Sequence, residues 1–229
     1  MQVVILAGGY GTRLSEYTDK IPKPMVKIGN KPILEHIIRF YLKFGFKDFI
    51  VPLGYKGSII KNYFKSQKSR NLLSKINLKL VDTGLGTMTG GRVKRIERFI
   101  KSDNFFLTYG DGLSDINIEN LLKMHLKEKA YVTVTAVHPI ARFGEIILSK
   151  NKVTSFKEKP QIQTGWINGG FFVMNRKIFN FIKDDQTVLE KEPLEKICKL
   201  GKLNAFKHEG FWQCMDTKRE KDQLEEIYK

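Results

Sequence analysis

Cysteine is scarce in this chain: two in 229 residues, Cys198 and Cys214, with no C-x-x-C or Cys/His ligand spacing. A disulfide framework and a structural zinc site are therefore not expected; the two read as a small buried hydrophobe and a thiol at a site edge. Long apolar runs are missing, and none approaches the ~20 residues of a membrane span. The apolar stretch at the N-terminus, residues 3–7, is too short for a signal peptide and has no basic lead-in. A cytoplasmic protein without a membrane partner is expected. Internal repeats and low-complexity linkers are also lacking. Acidic residues are outnumbered, 24 against 40 Lys and Arg, for a net charge of +16. The lysines are spread along the chain, densest over 56–79, without an RRM, zinc-finger or homeodomain pattern. Charge of that kind supports only non-specific attraction to nucleic acid. It suits anionic small molecules better.

What is present is an ordinary globular composition, 41% hydrophobic and 28% charged. The first half alternates: strands at 3–6, 48–53, 76–81 and 105–109, and helices at 30–45, 58–64 and 91–100. The second half is richer in strand, at 131–137, 143–148, 153–157 and 170–174. Helices follow near 176–182 and 190–200, with a last charged helix from Thr217. The pattern predicts one α/β domain, 1–229. Its expected form is a Rossmann-like, mostly parallel sheet flanked by helices, with a small mixed β lobe.

The stretch "ILAGGYGTRL" follows the first buried strand, where open α/β sheets bind ligands. Gly8, Gly9 and Gly11 allow backbone N–H groups to approach a phosphate. A dinucleotide turn would carry a third glycine, but Arg13 stands just before that place. A Walker A loop would end in Gly-Lys-Ser/Thr, which is absent. A glycine loop backed by two cations, Arg13 and Lys23, suits a triphosphate. The plain alternative is a tight turn with surface basic residues.

"LAGGYGTRL" followed by "PKP" resembles the signature of the sugar-phosphate nucleotidyltransferases. "MTGGRVKR", "FLTYGDGLSD", "RFGEI", "FKEKP", "INGGFFVMN", "EKEPL" and "GFWQCMDT" follow in the order of the glucose-1-phosphate cytidylyltransferase branch. The resemblance implies that an acceptor phosphate attacks the α-phosphorus of CTP and pyrophosphate leaves, with no covalent enzyme nucleophile. Leu6, Ala7, Gly8, Gly9, Gly11 and Thr12 would hold the triphosphate, with Arg13 and Lys23 on its phosphates. Thr87, Arg92 and Gly110 would contact the nucleotide. Asp111 and Asp216 would bind Mg²⁺, and Arg13, Lys23 and Asp111 would carry catalysis. Lys159 would bind the acceptor phosphate, and Asn168-Gly169 would form an acceptor turn. Each has a structural alternative: a turn for Asp111, an N-cap for Asp216, a solvated helix charge for Arg92, a surface lysine for Lys159, and core packing for Trp212.

The chain departs from that branch in places. The segment between Phe64 and Val81 is shorter, which bears on whether it forms a homo-oligomer. Glu145 stands where the glucose enzymes have a small apolar residue, and Cys214 replaces a proline. A carboxylate there would favour a hydroxyl-rich or ammonium-bearing acceptor; the plain alternative is a Glu145 that faces solvent. The expected acceptor is thus phosphoglutamine, as used by a related enzyme of capsule modification, or a hexose 1-phosphate. Formation of CDP-glucose is the alternative. A nucleic-acid-binding or regulatory nucleotide-binding module is the alternative of another class, against which both metal carboxylates speak.

Overall fold

The computed structural model describes residues 1–139, 145–157 and 165–228, the side chains of residues 145 and 157 excepted. In chain order the elements are β1 (Val3–Leu6), α1 (Ser15–Thr18), β2 (Lys27–Ile28), β3 (Lys31–Pro32), α2 (Ile33–Lys43), β4 (Asp48–Leu53), α3 (Gly57–Lys65), α4 (Arg70–Leu73), β5 (Asn77–Asp82) and α5 (Thr89–Arg95). They continue with β6 (Asn104–Tyr109), β7 (Gly112–Ser114), α6 (Ile118–Lys127), β8 (Val132–Val137), β9 (Glu145–Ser149), β10 (Lys152–Lys157), β11 (Ile167–Asn175), α7 (Glu192–Lys199), β12 (Leu203–Lys207), β13 (Trp212–Cys214) and α8 (Lys218–Ile227).

Seven strands form the central sheet in the order β12-β8-β11-β6-β1-β4-β5. All run parallel except β11, which is antiparallel to both of its neighbours. From β1 the chain builds outward through β4 and β5, then crosses to β6 on the other side of β1. That reversal opens a crevice at the carboxyl ends of β1 and β6.

β1 shows why the sheet has helices on both faces. Its four residues are Val-Val-Ile-Leu, all buried. Alternation sends Val3 and Ile5 to one face and Val4 and Leu6 to the other. The first pair joins a core with Ile33, Ile37 and Tyr41 of α2; the second joins one with Val93, Leu107 and Ile197. Those two cores cover the opposite sides of the sheet.

Three expectations change. The helix anticipated from residue 30 begins at Ile33, because Lys31-Pro32 pairs back on Lys27-Ile28 as a short hairpin. The helix at 91–100 is α5 followed by a 3₁₀ turn at Glu97–Phe99. The mixed β lobe is smaller than anticipated. β8, β11 and β12 extend the main sheet, and only the β9–β10 hairpin and the β7–β13 ladder stand outside it with β2–β3. Among the described residues no helix is long and apolar enough to cross a membrane.

Candidate active site

A cleft of about 570 Å³ opens at the carboxyl ends of β1 and β6. Leu6, Ala7, Gly8, Gly9, Gly11, Thr12, Arg13, Lys23, Thr87, Arg92, Gly110 and Asp111 all line it. The loop after β1 turns sharply at Gly11, whose φ of 68° favours glycine. Thr18 Oγ1 donates to the Gly11 carbonyl at 3.0 Å and steadies the turn.

At the floor, Lys23 Nζ lies 2.6 Å from Asp111 Oδ2 and 2.5 Å from Asp216 Oδ1. Arg13 Nη1 pairs with the other oxygen of Asp216. Lys23 and Asp216 are buried, whereas the Arg13 side chain is 73% exposed. Burial alone would push the Lys23 ammonium down, but Asp111 and Asp216 outweigh it and the net direction is up. Lys23 therefore stays charged through the neutral range.

Asp216 is free for this pairing because another residue caps α8. Thr217 is the N-cap, in a capping box with Glu220, and Glu220 Oε2 also accepts the Asp216 N–H at 2.8 Å. The N-cap alternative for Asp216 is thus corrected: its backbone is held by the box and its carboxylate points to Lys23.

Arg92 is not a solvated helix charge. It is 4% exposed, and Nη1 donates to Leu53 O, Thr83 Oγ1 and Gly84 O at 3.1, 2.7 and 2.8 Å. Among the described residues no carboxylate pairs with it. Burial holds its guanidinium below the ordinary value, yet arginine remains charged. The result is a fixed positive charge in the cleft wall, met among the described residues by carbonyl oxygens and the Thr83 hydroxyl. A Cβ on Gly8 would fall inside that guanidinium, which explains glycine at this position. The neighbouring Lys94 and Arg95 do face outward, to Glu97 and Asp185.

The expected acceptor side is reached through Tyr109. Asn168 Nδ2 donates to Tyr109 Oη at 3.1 Å, and the Gly169 carbonyl accepts Trp212 Nε1–H at 2.7 Å. Trp212 thus packs against the core, as expected, and also fixes this turn. Lys159 lies outside the described residues. Glu145 is described by its backbone alone, at the start of β9 opposite Lys157. Cys214 is half-buried beside Asp216, and burial pushes its thiol up to about 12. Cys198 is exposed on α7 rather than buried, a correction that follows from its position on the helix's outer face.

Thr89, Tyr109 and Glu190 also line the cleft, and the sequence reading missed them. The signal was available: Tyr109 precedes Gly110-Asp111, and Glu190 opens "EKEPL".

A glycine loop, clustered cations and two convergent carboxylates at the reversal point of a mostly parallel sheet define an α/β enzyme acting on nucleotides. The chain belongs to the nucleotidyl transferase family, which it matches over residues 2–216. It is 45% identical to the glucose-1-phosphate cytidylyltransferase of Salmonella typhi, over all of this chain and 96% of that protein. It is 39% identical to a probable glucose-1-phosphate cytidylyltransferase of Bacillus subtilis, over 95% and 92% of the two chains. Among solved structures, HddC from Yersinia pseudotuberculosis superposes with a TM-score of 0.80 at 26% identity, covering 100% of this chain and 99% of that one.

Proposed function

We propose that this protein transfers CMP from CTP to glucose 1-phosphate, releasing pyrophosphate and forming CDP-glucose. One observation carries the chemistry: Lys23 is held between Asp111 and Asp216 at the floor of the glycine-loop cleft. Choice of CTP and glucose 1-phosphate is supported by the similarity along the whole chain to glucose-1-phosphate cytidylyltransferases. The phosphoglutamine reading leaned on Glu145, whose side chain is not described, and no relative reported above points to it.

Two anions must meet in this reaction, so the protein's work is positioning and neutralisation. The glycine loop receives the triphosphate, and Arg13 and Lys23 turn from the aspartates to the phosphates as these enter. Lys23, charged and released from the aspartates, then faces the leaving pyrophosphate, where charge grows as the bond breaks. Arg92 adds positive potential from the wall.

Asp111 and Asp216 fit Mg²⁺: both carboxylates converge on a single cation position, which Lys23 Nζ takes. Among the described residues no group of three or more acidic, His or Cys side chains surrounds a metal position. The remaining ligands would therefore be waters and nucleotide phosphates. When bound, the ion would neutralise phosphate charge and align the α-phosphate.

The test is a pyrophosphate-release screen crossing four nucleoside triphosphates with glucose 1-phosphate, other hexose 1-phosphates and phosphoglutamine, with and without Mg²⁺. Turnover is expected with CTP, glucose 1-phosphate and Mg²⁺ together. Asp111→Asn should lower kcat by about 10²-fold or more while circular dichroism stays unchanged. Preference for another base or for phosphoglutamine would refute the assignment.

A further inference from the structure

One carboxylate in the cleft is explained neither by the glycine loop nor by the paired aspartates. Glu190 has no ion-pair partner among the described residues. Its Oε1 accepts the Tyr109 hydroxyl at 2.6 Å, and its Oε2 accepts the Thr89 hydroxyl at 2.6 Å. An ionised carboxylate has no proton, so both hydroxyls must donate. Tyr109 has then spent its only proton, and its oxygen can only accept. It accepts Asn168 Nδ2–H at 3.1 Å, while the Gly170 N–H, which can only donate, meets Asn168 Oδ1 at 2.8 Å. The Gly170 N–H sets which way round the Asn168 carboxamide stands, and charge at Glu190 makes the Tyr109 oxygen an acceptor matched to the Nδ2 that then faces it.

The second oxygen points to the other substrate. Thr89 is the first residue of α5, the helix that carries Arg92, and its hydroxyl also accepts the Leu189 N–H at 3.0 Å. One carboxylate therefore ties the nucleotide-side helix to the strand bearing the acceptor turn.

The geometry points to Glu190 as the positioning residue of acceptor recognition. With Oδ1 on the Gly170 N–H and Tyr109 compelled to accept from Nδ2, Asn168 is clamped at both ends, and one N–H and one oxygen lone pair stay in a fixed orientation for a hydroxyl-bearing acceptor. This rests on the proposed function in taking Asn168 as an acceptor contact.

The test begins with Glu190→Gln, which keeps the shape but can donate, so that Tyr109 is no longer compelled. Expected is a fall of about 10- to 100-fold in kcat/KM for glucose 1-phosphate, carried by KM, with KM for CTP held within about twofold. Tyr109→Phe cuts the link to Asn168 while leaving Thr89 on Glu190, and should reproduce the effect. The double variant should be no worse than either single one. In the unliganded protein, NMR should show a nuclear Overhauser contact between the Asn168 side-chain amide and the Tyr109 ring that Glu190→Gln weakens.

Equal rises in both KM values would show a general structural role and overturn the proposal. So would acceptor kinetics within about threefold of wild type. Absence of turnover in the wild type would instead fell the proposed function. The NMR comparison would then decide the Glu190 linkage alone: a contact unchanged in Glu190→Gln overturns it.

Discussion

Replacing Lys23 by Ala removes a cation that two carboxylates share, and the consequences separate cleanly. Asp111 Oδ2 and Asp216 Oδ1 lie 2.6 and 2.5 Å from Nζ, so they are at most about 5 Å apart. Two negative charges at that distance repel by about 3 kcal/mol at an effective dielectric constant near 20. The Asp216 side chain is 11% exposed and that of Asp111 26%, so water relieves only part of this, and Arg13 relieves some more. We expect a loss of about 2–3 kcal/mol of stability at neutral pH.

The variant can escape the repulsion in two ways: by taking up a proton or by binding a divalent cation. Its stability should therefore recover as acid relieves the repulsion, and on adding Mg²⁺ at pH 7. Wild type should behave differently. Its Lys23 value is raised on folding, so that contribution is complete below the ordinary lysine value and is lost only as pH rises through the folded one. No recovery is expected on acidification. Thermal melts at pH 5, 7 and 9, with and without Mg²⁺, read this directly. Turnover at saturating CTP should fall by about 10²–10³-fold, because charge on the leaving group has lost its preorganised partner. A variant whose melting temperature ignores both pH and Mg²⁺ would refute the shared-cation argument. A change confined to KM for CTP would refute the transition-state role.

Arg92→Met should cost about 2–4 kcal/mol in urea unfolding, since it strands the buried Leu53, Thr83 and Gly84 oxygens, and should raise KM for CTP. Gly8→Ala, whose Cβ collides with that guanidinium, should lower kcat/KM for CTP by about tenfold through misplacement, with the fold intact by circular dichroism. Thr217→Ala removes the hydroxyl cap of α8 and should cost ~1 kcal/mol in the same unfolding assay. Turnover of that variant should change by less than about threefold, because Glu220 still holds the Asp216 backbone.

The parts legible in the sequence are those where neighbours in the chain are neighbours in space. β1 is an unbroken apolar run because both its faces are buried, and the glycine loop and "GDG" are contiguous with the strands that place them. α2 was readable from its apolar face, but its start was not, since the β2–β3 pairing depends on the fold rather than on propensity. α6 was not anticipated, although its buried positions Ile118, Leu121 and His125 keep helical spacing and Asn117 caps it. β7 and β13 have three residues each and exist only through each other. Glu190, and the burial of Arg92 though not its place among the site residues, were hidden for a related reason. The partners of Glu190 lie 81 and 101 positions away, and Arg92 reaches back 39 residues to Leu53. Nothing local tells a buried charge from a solvated one beside Lys94 and Arg95.

The reversed direction of β11 has a bearing on how such a cleft can be re-specified. β1 and β6 bring their last residues to the rim, whereas β11, paired Phe171 to Thr108, brings its first residues there. Asn168 and Gly169 thus stand where a strand is entered, just after the β9–β10 hairpin, and not where a crossover departs. Exchanging sequence ahead of Ile167, where β11 begins, reroutes no βα connection of the first half. Chimeras joined at Phe171 and upstream of β9 should trade acceptor preference between relatives and leave the choice of base with the first half. A single antiparallel strand in the main sheet thus brings a strand's entrance, rather than its exit, to the rim of the cleft.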